Sequence, residues 1–81
     1  MRITVRFFAL AREQAGVAQS VIHLDAGASV ETAAKMLAEQ FPKLVNLLPR
    51  VAYAVNQSYV DARTVLSEGD ELAVIPPVSG G

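Results

Sequence analysis

Cysteine is absent from the 81 residues. A disulfide, an iron–sulfur cluster, a thiolate zinc site and an internal cysteine nucleophile are therefore excluded. Histidine occurs once, at His23, and a single imidazole does not build a histidine-rich metal site within one chain. An excess of positive charge is missing too. The net charge is −1 and the charges are scattered singly, so nothing follows a phosphate backbone and nucleic acid is not expected as a partner. The longest acidic cluster is Glu68-Gly69-Asp70-Glu71, which reads as a turn stabilising itself rather than as a metal site. The opening MRITVRFFALARE lacks the apolar core of a secretory signal, and no apolar run approaches the roughly 20 residues that cross a bilayer. The expectation is a soluble cytoplasmic protein with no membrane association, no metal and no bound cofactor.

What is present is hydrophobic material, 52% of the chain and mainly Val, Ala and Leu. A chain of this length forms one small domain, and a small domain buries a modest share of its surface, so its core must be efficient. Ile3, Val5 and Phe7 alternate with Arg2, Thr4 and Arg6, the period of a strand with one buried face. Residues 9–14 favour helix, and Gly16 stops it after a short turn. Residues 20–24 read as a second strand, antiparallel to the first. Ser29 is placed to cap a helix, with Glu31 in its first turn. Apolar residues at 30, 33, 34, 37, 38 and 41 give that helix one buried stripe, and Pro42 ends it. KLVNLL, between two prolines, reads as a short link with room for another helical turn. Residues 51–55 are apolar at nearly every position, which predicts a strand covered on much of both faces. Asn56-Gln57-Ser58 turns the chain into a brief return strand at Tyr59-Val60. A last strand spans Leu72–Ile75, and Pro76 closes it.

Strand, strand, helix, strand, short strand, strand is an α+β arrangement of about five strands with one main helix on one face of a mixed sheet. First and last strands side by side would make it a β-grasp. The division that follows is a β-grasp domain over residues 1–75 and an extended tail over residues 76–81. One helix covers only one face. Leu72 and Val74 share one side of the last strand, so Ile75 points to the uncovered side. Phe8, which follows Phe7 by the same alternation, and Tyr59, on an edge, are expected there as an apolar patch beside the tail. The competing expectation is that Phe8 and Tyr59 fold back into the core, because small domains need their large apolar residues.

The chain closes Pro76-Pro77-Val78-Ser79-Gly80-Gly81. A free α-carboxylate, with its pKa of about 3.5, is a poor electrophile at neutral pH and becomes reactive only after activation, as in an acyl-adenylate. Paired glycines present no side chain to a closed site and accept unusual dihedrals. The prolines stiffen the root of the tail, and six extended residues reach roughly 20 Å. The bland alternative is an idle terminus.

Together with VRFFALARE, AVNQSYV at 54–60 and GDELAVIPPVSGG at 69–81, this ending resembles the small, sulfur-carrying subunit family of molybdopterin synthase. The likeness covers the whole chain and PPVSGG is its most specific part. The related thiamine sulfur carriers end in Gly-Gly without the proline pair, and ubiquitin-like proteins are more distant. The resemblance implies that an E1-like adenylyltransferase uses ATP to adenylate Gly81, that a sulfur donor protein converts it to a thiocarboxylate, and that the tail then enters the large synthase subunit and gives its sulfur to a pterin precursor. It implies a heterotetramer of two small and two large subunits. Gly81 carries the chemistry. Phe8, Arg12, Tyr59, Ile75, Pro76, Pro77, Val78, Ser79 and Gly80 are the expected partner contacts, Arg12 toward the activating enzyme. The chain alone is expected to be non-catalytic.

Three other readings stay open at this level: a thiamine-type carrier, a ubiquitin-like protein modifier joined through Gly81 to target lysines, and a β-grasp interaction module with an idle tail. The only lysines, Lys35 and Lys43, lie on or just after the helix rather than in the tail. Arg12 is equally a solvated charge. His23 reads as an ordinary outward residue of the second strand, Asn56-Gln57 as a turn, and Asp61 and Arg63 as loop charges.

Overall fold

The computed structural model describes residues 1–77; Val78, Ser79, Gly80 and Gly81, and with them the expectations placed on the tail, lie outside the described residues. Its elements are β1 (Arg2–Phe7), α1 (Ala9–Ala15), β2 (Gln19–His23), α2 (Val30–Gln40), two 3₁₀ turns (Pro42–Leu44 and Leu48–Arg50), β3 (Ala52–Val55), β4 (Ser58–Val60) and β5 (Glu71–Ile75). The sheet runs β2-β1-β5-β3-β4. The two central strands, β1 and β5, are parallel, with Val5 opposite Leu72 and Phe7 opposite Val74; the other three pairings are antiparallel. This is the β-grasp expected from the strand pattern. Among the described residues no helix is long and apolar enough to cross a membrane.

Strict alternation in β1 puts Ile3, Val5 and Phe7 into the core. Leu72 and Val74 join them from β5, fully buried, and Ile22 from β2. Helix α2 closes this layer with Val30, Ala33 and Leu37, three residues on one stripe of a 3.6-residue period. Ser29 caps it, its side chain accepting from the Thr32 N–H at 3.4 Å. The helix ends at Gln40, one residue short of the apolar stripe, and Phe41 caps the C-terminus. Phe41 still packs inward, its ring edge-on to Phe7 at 5.2 Å, a favoured aromatic geometry. Gly16, at φ 80, ends α1 and donates to the Arg12 carbonyl, a left-handed closure that glycine adopts without steric penalty.

One local expectation is met and one needs correction. The link between the prolines does hold helical turns, two of them 3₁₀, and Leu44, Leu47 and Leu48 are all buried in the core. Their i, i+3, i+4 spacing is that of one face of a helical segment, which agrees with the two 3₁₀ turns. The segment expected to be covered on both faces is covered less than expected. Ala52 is exposed, Tyr53 and Val55 are half-buried, and only Ala54 is buried, because a single helix does not blanket five strands. Burial on the helix side raises the Tyr53 phenol above its ordinary pKa.

The turns are tied together by one polar cluster. Asn56 and Gln57 are both left-handed, at φ 49 and 72, and form the two-residue loop joining β3 to β4, the type I′ pattern. The Asn56 side chain donates to Asp70 Oδ1 at 2.9 Å and accepts from the Glu71 N–H at 3.0 Å. Asp70 Oδ2 accepts from the Ser67 N–H at 2.8 Å, and the Asp70 carbonyl accepts from the Thr4 N–H. One asparagine thus fixes both the hairpin and the start of β5.

Asn56→Ala is expected to lower stability by roughly 1–2 kcal/mol, from two lost side-chain hydrogen bonds and a left-handed alanine. Asn56→Gly, which removes the bonds but keeps the backbone freedom, should lose less. Thermal or urea melting of the two variants measures the difference, and equal losses would show that the backbone geometry contributes nothing.

Candidate functional site

On β5, Glu71, Ala73 and Ile75 alternate away from the helix side. The register places Ala54 beside Ala73 and Ala52 beside Ile75, Tyr59 beside Ala54, and Arg6 beside Ala73. The middle of this helix-free face is therefore paved with alanines. Ala54 and Ala73 are nearly buried, yet short side chains leave the floor low. Arg6, Phe8, Gln57, Tyr59, Glu71 and Ile75 rise around it and bound a cleft of about 300 Å³.

A second, larger cleft of about 630 Å³ lies next to it, lined by Phe8, Ala9, Leu10, Leu47, Arg50, Ile75, Pro76 and Pro77. Phe8 and Ile75 belong to both clefts and divide them. Phe8 is where β1 ends and α1 begins: its backbone is extended, its N–H donates to the Val74 carbonyl at 3.2 Å, and its carbonyl accepts from Ala11. Ala9 then turns at φ 48, a left-handed conformation costing an alanine on the order of 1–2 kcal/mol. Such strain clusters at functional sites. Here it turns the chain sharply enough that Phe8, Ala9 and Leu10 all line one cleft.

The question of Phe8 and Tyr59 is settled in favour of the surface. Phe8 is 38% and Tyr59 74% exposed, and Leu10 also faces solvent. Ile75 is half-buried on the predicted face. Pro76 is itself buried and Pro77 exposed, so the buried body extends one residue past β5. Arg12 is exposed on α1 and lines neither cleft. His23 is exposed on β2, as expected. Asp61 and Arg63 form an exposed local ion pair at 3.7 Å.

Several lining residues were not singled out from the sequence. Arg6 carried a usable signal, since it stands two residues before Phe8, and strand alternation sends both to one face. Leu10 follows from the same local geometry only once the turn at Ala9 is seen. Leu47 and Arg50 come from the 3₁₀ segment and had no local signal. The arrangement is a largely apolar pair of clefts beside the last described residues, with one charged pair, Arg6 and Glu71, at 3.7 Å.

Known proteins share this architecture. The ThiS family model matches residues 5–81. The molybdopterin synthase sulfur carrier subunit of Chlamydomonas reinhardtii is 39% identical over 83 residues, with all of both chains covered. Among solved structures, SAMP1 of Haloferax volcanii superposes with a TM-score of 0.91 at 27% identity, with both chains fully covered. Subunits 1 and 2 of the molybdopterin-converting factor of Helicobacter pylori form a complex in which the matching chain has a TM-score of 0.75 at 28% identity, again over the whole of both chains. With the family pattern running from residue 5 to residue 81 and a full-length relative at this identity, the chain belongs to the ThiS family.

Proposed function

We propose that this protein is the sulfur-carrier subunit of a molybdopterin synthase and works through the carboxylate of Gly81. The observation that carries the reading is the full-length match to molybdopterin synthase sulfur carrier subunits, joined to a family match that continues to Gly81. The geometry supports it. Pro77, the last described residue before the four that end in Gly81, lines the same cleft as Phe8 and Ile75, so a partner seated on that cleft would lie next to the start of the tail.

In this reading an adenylyltransferase joins the Gly81 carboxylate to AMP from ATP and releases pyrophosphate. A sulfur donor displaces AMP and leaves a thiocarboxylate. The tail then enters the second synthase subunit, where sulfur passes to the pterin precursor and the carboxylate returns. Two rounds supply one dithiolene. ATP belongs to the activating enzyme, and the carrier binds no cofactor of its own. The cytoplasm, where such partners meet ATP, is the proposed location. Phe8, Ile75, Pro76 and Pro77 seat the body, Val78, Ser79 and Gly80 thread the site, and Arg12 serves the activating enzyme from outside the clefts.

A second reading, as a protein modifier, is favoured by one observation. The Haloferax volcanii small archaeal modifier protein 1 is a close structural match, with a TM-score of 0.87 at 25% identity. Both readings share the adenylate and part afterwards. Incubation with ATP, the activating enzyme and a sulfur source, followed by intact-mass measurement, reports the exchange of oxygen for sulfur; isopeptide adducts on lysines of other proteins report the modifier.

Deleting Gly81 is expected to abolish sulfur transfer and leave the melting curve unchanged. The reactive carbon would retreat by roughly 3.5 Å, while misplacement of about 1 Å already costs on the order of a hundredfold in rate. Transfer at the normal rate by the deletion variant would favour the module with an idle tail.

Ile75→Asp is expected to weaken binding of the second subunit about tenfold or more, the effect of losing an apolar anchor worth more than about 1 kcal/mol. Its loss of thermal stability should be the smaller effect, because Ile75 is only half-buried. A collapse in melting temperature with retained affinity would instead mark Ile75 as a core residue.

A further inference from the structure

Around the alanine floor of the helix-free face, the charged side chains that line the cleft are Arg6 and Glu71. Arg6 and Glu71 stand on neighbouring central strands, in the cleft between Phe8 and Tyr59. The Arg6 guanidinium carbon lies 5.3 Å from the centroid of the Phe8 ring. Arg6 Nη1 is 3.7 Å from Glu71 Oε1, and the two side chains are 46% and 37% exposed. At that separation the pair is held by charge and not by a hydrogen bond, so the planar N–H donors are not spent on Glu71. The Phe8 ring covers one side of the guanidinium and Glu71 steadies it from another. The cation is thereby held in place before any partner arrives, which reduces the side-chain entropy lost on binding.

Two arguments decide what such a group would meet. A partner covering this face excludes water from Arg6, and a desolvated guanidinium left without an acceptor is costly. The partner must therefore supply an acceptor, and the planar fork fits a carboxylate in bidentate fashion. Arginine beside aromatic residues is also the composition that dominates binding energy in interfaces, while glutamate is depleted there.

Resting on the sulfur-carrier reading, we propose that Arg6 is a specificity-determining residue of the docking face: it receives a carboxylate of the second synthase subunit, and Glu71 orients it and competes with that carboxylate. The two members of the pair then act with opposite sign. Arg6→Leu should weaken binding of the second subunit about tenfold or more, and Arg6→Lys, with charge but no fork, should fall between it and the wild type. Glu71→Gln removes the competitor and keeps the shape, so it should tighten binding a few-fold. Added salt should weaken the wild type more steeply than Arg6→Leu, because an ion pair is lost from the variant.

The test is isothermal titration of the full-length chain and its variants with the second subunit at low and high salt, beside thermal melting. The melting temperatures should stay together, as an exposed pair contributes little to folding. If Arg6→Leu binds as tightly as the wild type, the proposal falls and the face is read by apolar contact alone. If Glu71→Gln weakens binding as much as Arg6→Leu does, the pair is a scaffold and the proposal also falls. If the wild type does not bind the second subunit at all, the sulfur-carrier reading itself fails, a result distinct from either of these.

Discussion

The parallel pairing of β1 with β5 is the constraint on which the rest of the molecule depends. These strands come from opposite ends of the chain and lie side by side at the centre of the sheet. A parallel pair cannot be closed by a hairpin, so the intervening chain must cross over, and α2 packs against the sheet on the way. Parallel strands also finish at the same end of a sheet. With Phe7 opposite Val74, the next residues, Phe8 and Ile75, come together, and Pro76 and Pro77 line the cleft beside them. The clefts and the placing of Pro77 at their edge are one consequence of that register.

The two faces of the sheet divide the work. On the helix side, Ile3, Val5, Phe7, Leu37, Leu72 and Val74 exclude water and carry the hydrophobic stabilisation. On the other side, Ala54 and Ala73 keep the floor low, and Phe8, Tyr59 and Ile75 provide apolar contact around it. An exposed apolar surface on so small a protein is tolerable when a partner covers it. In the proposed reading the reactivity lies in the tail and the recognition in the body.

Much of this was legible residue by residue. The alternation in β1 and in Leu72–Ile75 assigned core and outer faces correctly, the stripe and Ser29 located α2, and Gly16 marked the end of α1. The outward placement of Ile75 followed from alternation alone. The site was only partly legible. Phe8 and Tyr59 stood equally between core and surface, because hydrophobicity states a preference for burial and not which face has room. Arg6 passed as an ordinary polar position of a strand.

What the sequence by itself determined is whatever depends on neighbours along the chain: periodicity, caps, turn residues, charge and the absence of cysteine. Tertiary structure decided whatever depends on residues far apart. The Asn56–Asp70 bond and the Arg6–Glu71 pair each join segments that only the sheet register brings together. So does the cleft that places Leu47 and Arg50 beside Pro76. The physical reason is that side-chain periods of 2.0 and 3.6 are local geometry, whereas the parallel register arises from packing the whole core at once, and no local period encodes it.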